Sequence, residues 1–148
     1  MSDTYTDLLL ECLVEALQTF AFVAAEPPQG PVPAPAAADL YTLRFQGADS
    51  GELQLAAPRA FGCLMAANML GLEPADAEAA ERAQDVIKEL CNIITGLWLS
   101  RRATVYVPEM GLPSASALPD WDRFAALPGS FTILAEGFPL AARIEETP

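Results

Sequence analysis

The feature that most constrains the fold is a long amphipathic segment from about Ala75 to Leu99, which predicts a helix of about seven turns. At about 100° per residue, six apolar side chains fall on one arc of that helix. Acidic and amide side chains lie away from the arc. The apolar arc needs a second layer to pack against. Its members are Val86, Leu90, Ile93, Ile94, Leu97 and Trp98.

Two hairpins are predicted to supply that second layer. Apolar and polar residues alternate over 41–46 and again over 52–55, and the turn from Gly47 to Gly51 separates them. The same alternation recurs over 131–135 and 138–144, around the dipeptide Glu136-Gly137. A period of two is typical of strands with one buried face. The sequence therefore predicts antiparallel pairs.

The other segments complete the element order. Apolar residues at spacings of three and four predict a first helix over residues 3–25, and a second helix runs from Pro58 to a C-cap at Gly71. Residues 103–107 favour a strand, and residues 108–128, with four prolines, are predicted to form a loop anchored by Trp121. The order α-β-β-α-α-β-β-β indicates an α+β fold, an antiparallel sheet packed with helices.

Length indicates one domain. A chain of 148 residues and 15.8 kDa can bury a full core, so residues 1–148 are interpreted as a single domain. The segment from Glu26 to Ala38 holds five of the thirteen prolines. We interpret it as a proline-rich insert, because such a segment forms neither a helix nor a central strand.

Composition excludes several classes of function. The chain has no histidine, which excludes a Ser-His-Asp triad, a Cys-His dyad and an imidazole zinc site. A net charge of −12 argues against nucleic acid and against an anionic membrane surface as partners. No apolar run approaches the ~20 residues of a membrane span, and the three cysteines sit apart in apolar contexts. We therefore expect a cytoplasmic protein with reduced thiols.

The candidate chemistry lies on the long helix. Asp85, Glu89 and Asn92 are spaced i, i+4 and i+7, so they stack within about 60° of one another on one face. Gly96 points the same way one turn later. Since glycine costs about 1 kcal/mol relative to alanine inside a helix, a glycine here predicts close approach by another surface.

Periodicity alone leaves a plainer interpretation open, because acids and amides on an outer helix face are also what solubility requires. Two acids and an amide on one convex surface lack the convergence that a magnesium or calcium site needs, so no metal is predicted on this chain. They do not flank a cleft as glycosidase carboxylates do. The row is suited to contacting another protein.

The segment Asp85-Val-Ile-Lys-Glu89-Leu-Cys-Asn92-Ile-Ile-Thr-Gly96 resembles the Asp/Ser-x-x-x-Glu-x-x-Asn signature of the CheC/CheX/FliY family of chemotaxis phosphatases. The order of helices and strands, including the helix that ends in Met-Leu-Gly at Gly71, is similar to that of a CheX-like domain. The resemblance covers nearly the whole chain apart from the insert.

This resemblance implies a phosphatase that removes the phosphoryl group from the aspartate of a CheY-like response-regulator receiver domain. It assigns to Asn92 the orientation of the attacking water and to Glu89 a pairing with the receiver's lysine. Asp85 and Gly96 would contribute to partner binding. It implies no cofactor on this chain, with Mg²⁺ held by the receiver.

Alternatives remain at this stage. The chain could be a non-catalytic adaptor that binds a receiver domain, or a structural subunit of a flagellar switch-like assembly. A similar row on the first helix, Asp7, Glu11 and Val14, has valine where the amide would be, so at most one functional site is predicted. A homodimer through a sheet edge is a further expectation, with the strand from Phe138 to Ile144 as the candidate edge.

Overall fold

The computed structural model describes residues 3–47, 50–102 and 108–147. The chain folds into helices and a seven-stranded antiparallel sheet, which confirms the predicted α+β class. In chain order they are α1 (Asp3–Phe20), β1 (Ala25–Glu26), β2 (Ala38–Gln46), β3 (Gly51–Pro58), α2 (Arg59–Leu70), α3 (Ala77–Arg102), β4 (Glu109–Met110), β5 (Ser114–Ala117), α4 (Trp121–Ala125), β6 (Phe131–Ala135) and β7 (Phe138–Glu146). Of the strands, β1, β4 and β5 were not predicted.

The sheet has the strand order β1-β6-β7-β3-β2, and both β4 and β5 pair with the far side of β2. Both predicted hairpins are present. β2 and β3 pair in register from Ala38↔Pro58 to Phe45↔Gly51, and β6 pairs with β7. Between the hairpins, β3 pairs with β7, so one continuous sheet joins the two halves of the chain.

The main core lies between α1, α2 and α3 and one face of the sheet. Tyr41, Leu43 and Phe45 of β2 point into it and are buried, as their alternation predicts. From α3, Trp98 reaches the same layer, with its ring 5.7 Å from that of Phe45. The inward residues of the sheet thus supply the layer that the apolar arc of α3 requires.

The opposite face of the sheet is partly covered by α4. Trp121 and Phe124 pack there on Ala56 and Ala141, which confirms Trp121 as an anchor. Asp120 caps α4, because its carboxylate accepts a hydrogen bond from the Arg123 N–H at 3.1 Å.

Several sequence-based boundaries were wrong. The first helix ends at Phe20 and not at residue 25, and Ala25–Glu26 forms a short strand on β6. The segment 108–128 is not simply a loop, because it contributes β4, β5 and α4. β5 pairs with β2 in register from Asp39↔Ala117 to Thr42↔Ser114. Its Ser-Ala-Ser-Ala sequence has no alternation of large apolar and polar residues, so nothing in that segment indicates a strand. The strand expected over residues 103–107 lies outside the described residues.

The edge assigned to residues Phe138 to Ile144 was also wrong. β7 lies inside the sheet, bonded to β3 on one side and to β6 on the other. Its clean alternation reflects a strand whose inner face contacts the core, which central strands and edge strands share. None of the helices in the described part of the chain has the length and apolar character that a bilayer crossing needs.

Candidate functional site

The candidate site is built on α3, the longest helix, with 26 residues. Val86, Leu90 and Ile94 are buried on its inner side, and their burial fixes which side faces outward. At its start, the Asp76 carbonyl accepts the Ala80 N–H at 3.3 Å, while the Asp76 carboxylate accepts the N–H of Glu73 at 3.0 Å. The first turn is therefore tied to the preceding loop.

Polar contacts hold α3 against its neighbours. The buried carboxylate of Asp39, in β2, accepts a hydrogen bond from Gln84 Nε2 at 3.3 Å and pairs with Arg59 Nη2 at 3.2 Å. Toward the other end of α3, Arg101 Nη2 lies 2.7 Å from Glu15 Oε1 of α1. These contacts restrict sliding and rotation of α3, so its outward face has a defined orientation.

The outward face carries the predicted row. Asp85 and Glu89 are exposed, and Asn92 and Gly96 are half-buried. Asn92 Nδ2 donates a hydrogen bond to Glu89 Oε1 at 3.3 Å, so the structure brings these two predicted residues into contact. A Cβ added at Gly96 would meet no atom within 4 Å, which leaves open space beside Asn92.

The nearby thiol does not contribute to this face. Cys91 precedes Asn92 but is fully buried, and burial raises the pKa of its thiol to about 12. A thiol that stays protonated and faces the core is not a nucleophile. Within the described ranges no group of three or more Cys, Asp or Glu side chains could hold a metal ion. The row can donate and accept hydrogen bonds and present negative charge.

The parallel row on α1 differs in one side chain. Asp7 and Glu11 are exposed, and Val14 is half-buried in the position that corresponds to Asn92. Valine has no group that orients water. The α1 face therefore resembles the α3 face in charge alone.

An apolar groove beside the row was missed by sequence reasoning. It has a volume of about 210 Å³. The sequence places Met69 and Leu70 as the last apolar residues of the second helix and assigns them no surface role, but Leu70 is 46% exposed. The signal available in the sequence was their position directly before Gly71, where the helix ends and the chain reaches the surface. The groove is lined by Phe20, Met69, Leu70, Arg82, Asp85, Val86 and Glu89.

Comparison with known families decides the classification. Residues 41–120, more than half of the chain, match the sequence profile described as "Chemotaxis phosphatase CheX". The chain belongs to the CheX family. The match includes all of α3, so the Asp85, Glu89 and Asn92 row falls inside the region that defines membership. Among curated protein sequences, none matches this chain.

Solved structures of CheX-family and related proteins share the fold. The chemotaxis protein CheX from Vibrio vulnificus is 16% identical, with a TM-score of 0.68 over 97% of this chain and 99% of that one. CheX in the CheX-CheY-BeF3-Mg²⁺ complex from Borrelia burgdorferi is 15% identical, with a TM-score of 0.66 over 97% and 98%. FliY from Thermotoga maritima is 11% identical, with a TM-score of 0.65 over 99% and 89%.

Proposed function

We propose that this CheX-family chain dephosphorylates the phospho-aspartate of a CheY-like receiver domain, with Asn92 orienting the attacking water. The observation that supports this most directly is the contact between Glu89 and Asn92 on the outward face of α3. An exposed acid hydrogen-bonded to an amide, beside open space at Gly96, suits insertion into a partner's active site.

The reaction needs positioning more than covalent chemistry. Water attacks phosphorus in line with the bond to the aspartyl oxygen; the new P–O bond forms as the old one breaks, and the carboxylate leaves with the electron pair. The proton lost by the water passes to the phosphate and solvent. Asn92 Nδ2 donates to Glu89, and Asn92 Oδ1 is the atom proposed to accept a hydrogen bond from the water, because a water that donates this bond keeps an oxygen lone pair free for attack.

The acids take the binding roles. Glu89 would pair with a lysine in the receiver's active site, which aligns the two proteins at the phosphoryl group. Asp85 would add a contact one turn earlier, and Gly96 would let the partner approach. The Borrelia complex contains Mg²⁺ and BeF3 together with CheY, and we propose that Mg²⁺ is likewise held by the receiver here. We infer no cofactor on this chain and expect the reaction in the cytoplasm.

The test is the decay of a phosphorylated receiver domain, measured alone, with this chain and with its Asn92→Ala variant. We expect the wild-type chain to accelerate decay. Asn92→Ala should reduce this acceleration by about tenfold to a hundredfold, because the group that positions the water is removed. The variant should still bind the receiver domain. Gln46→Ala is the matched control, because Gln46 is an exposed amide on the sheet face opposite α3.

The alternative function is that of an adaptor. Binding of the phosphorylated receiver without faster decay would support the adaptor and refute catalysis. Binding that ignores phosphorylation would instead indicate a structural subunit. If no receiver domain binds, the row is only the solvated side of a helix.

We also propose that the chain forms a single domain and dimerises through a sheet edge, now assigned to β5. The edge of β5 away from β2 is bonded to no other strand among the described residues, and Ser114, Ser116 and Ala117 are exposed. Such an edge is a template for pairing with a second copy. Equilibrium sedimentation should give twice 15.8 kDa, and Ala117→Pro should lower that mass, because the register with β2 turns the Ala117 N–H toward the open edge. A wild-type mass of one chain refutes the dimer.

A further inference from the structure

The groove beside the row has the size of a site for a partner's side chain. Its volume of about 210 Å³ is below the ~300–1,000 Å³ of pockets that enclose small-molecule ligands. Its apolar surface comes from the ends of α1 and α2 and from α3, through Phe20, Met69 and Val86. Leu70, at 46% exposure, extends this surface toward solvent. The long, flexible Met69 side chain suits a surface that adapts to an incoming group.

The rim of the groove is charged on one side. Asp85 and Glu89 line it, and both are exposed. Arg82 also lines it, but its guanidinium lies 4.0 Å from the carboxylate of Glu78, which partly satisfies its charge. An apolar side chain that enters this groove is therefore best accompanied by a lysine or arginine on the same partner.

The groove is continuous with the proposed site. Glu89 both lines the groove and accepts the hydrogen bond from Asn92. Asp85 is seven residues from Asn92, which is about 10 Å along the helix axis. A standard protein–protein interface buries about 800 Å² per partner, equivalent to a disc of roughly 16 Å radius. A protein centred on Asn92 therefore covers the groove.

A second exposed apolar residue lies at the same corner of the molecule. Phe22 is 74% exposed and has a φ of 57°, a conformation that non-glycine residues rarely adopt. The carbonyl of Ala21, its neighbour, accepts a hydrogen bond from Asn68 Nδ2, directly before Met69 in α2. An aromatic ring that is mostly in solvent contributes little to the core, so Phe22 adds exposed apolar surface at this corner.

We propose that this groove, lined by Phe20, Met69, Leu70 and Val86, receives an apolar side chain of the receiver domain, flanked by a basic one, and determines which receivers the chain binds. The inference rests on the proposed function, because it takes the receiver to be centred on Asn92. It separates two roles on one surface. The groove supplies affinity and selectivity, and Asn92 supplies the rate.

The experiment measures affinity and rate separately. The probe for affinity is a CheY-like receiver domain in its BeF3–Mg²⁺ form, titrated by calorimetry, and the same receiver, phosphorylated, gives KM and kcat. Leu70→Gln removes half-exposed apolar surface and keeps a helix-compatible residue. Leu112→Gln is the matched control, since Leu112 is 92% exposed and does not line the groove. Leu70→Ala tests the same contact without a new polar group.

We expect Leu70→Gln and Leu70→Ala to raise Kd and KM by roughly fivefold to tenfold, with kcat unchanged and Leu112→Gln equal to wild type. Thermal melting checks that each variant is folded. Equal Kd values for Leu70→Gln and Leu112→Gln would overturn the groove proposal, even if Asn92→Ala still abolishes turnover. Binding that depends on Leu70 without any turnover would support the groove and refute catalysis. Dissociation of a dimer by Leu70→Gln, with receiver affinity unchanged, would assign the groove to a second copy.

Discussion

Two helical glycines should respond in opposite ways to the same substitution. Gly96 lies on the outward face of α3, where an added Cβ meets nothing within 4 Å. Gly62 lies where α2 packs on α3, and an added Cβ would sit 2.9 Å from the Ala83 Cβ and 3.1 Å from the Ala83 carbonyl oxygen. Replacement by alanine therefore separates helix propensity from packing.

The magnitudes follow from these distances. Gly96→Ala should stabilise the chain by about 1 kcal/mol, since alanine has the higher helix propensity and no atom must move. That corresponds to a rise in Tm of about 2–4 °C for a domain of this size. Gly62→Ala gains the same propensity but also overpacks the interface between α2 and α3, at a cost of about 1–3 kcal/mol. The difference in unfolding free energy between the two variants isolates that cost.

Urea denaturation with a shared m-value measures both free energies of unfolding. Equal stability of Gly62→Ala and Gly96→Ala would refute the reasoning, because the close packing of α2 on α3 would then be absent.

Gly96 also provides a test of partner docking. Gly96→Leu should raise the KM for a phosphorylated receiver, whereas Ala80→Leu should not, since Ala80 is exposed about 160° around the helix from Gly96.

Three further predictions concern stability. Phe22→Gly should stabilise the chain by about 1 kcal/mol in urea, because Phe22 holds a φ of 57°; a loss of stability would contradict this. Burial raises the pKa of the Cys91 thiol from 9.0 to about 12, so between these pH values only the unfolded state loses the proton. The free energy of unfolding should therefore fall as pH rises from about 9, by up to about 1.4 kcal/mol per pH unit. Cys91→Ala should flatten this fall between about pH 9 and pH 10.5, and an unchanged slope would refute the assignment. The ion pair between Arg101 and Glu15 is part-exposed, so a double-mutant cycle should give less than about 1 kcal/mol, decreasing with salt. A coupling above that would contradict solvent screening.

Features set by local periodicity were predictable. The helical period of 3.6 residues per turn predicts the apolar arc of α3 and its outward face. That face carries Asp85, Glu89, Asn92 and Gly96. The end of α2 was also predictable, because glycine readily adopts the left-handed conformation with which many helices end. The structure has Gly71 in that conformation, with a φ of 70°, and its N–H donates a hydrogen bond to the Ala67 carbonyl.

The end of α1 was not predictable in the same way. The Val23 N–H bonds the Leu17 carbonyl, which closes the helix around a left-handed residue. Glycine usually holds that position, and here Phe22 does. Apolar spacing continued past the true end, so the periodic pattern gave no stop.

By itself the sequence determined the α+β class, the two hairpins and the face of α3 on which the candidate residues lie, because helix and strand periods depend on neighbouring residues alone. Only the tertiary structure decided that β7 lies inside the sheet, that β5 pairs with β2, and that the ends of α1 and α2 form a groove beside Glu89. These features depend on contacts between segments far apart in the chain. Hydrogen bonding across a sheet and packing at helix ends leave little trace in any single segment.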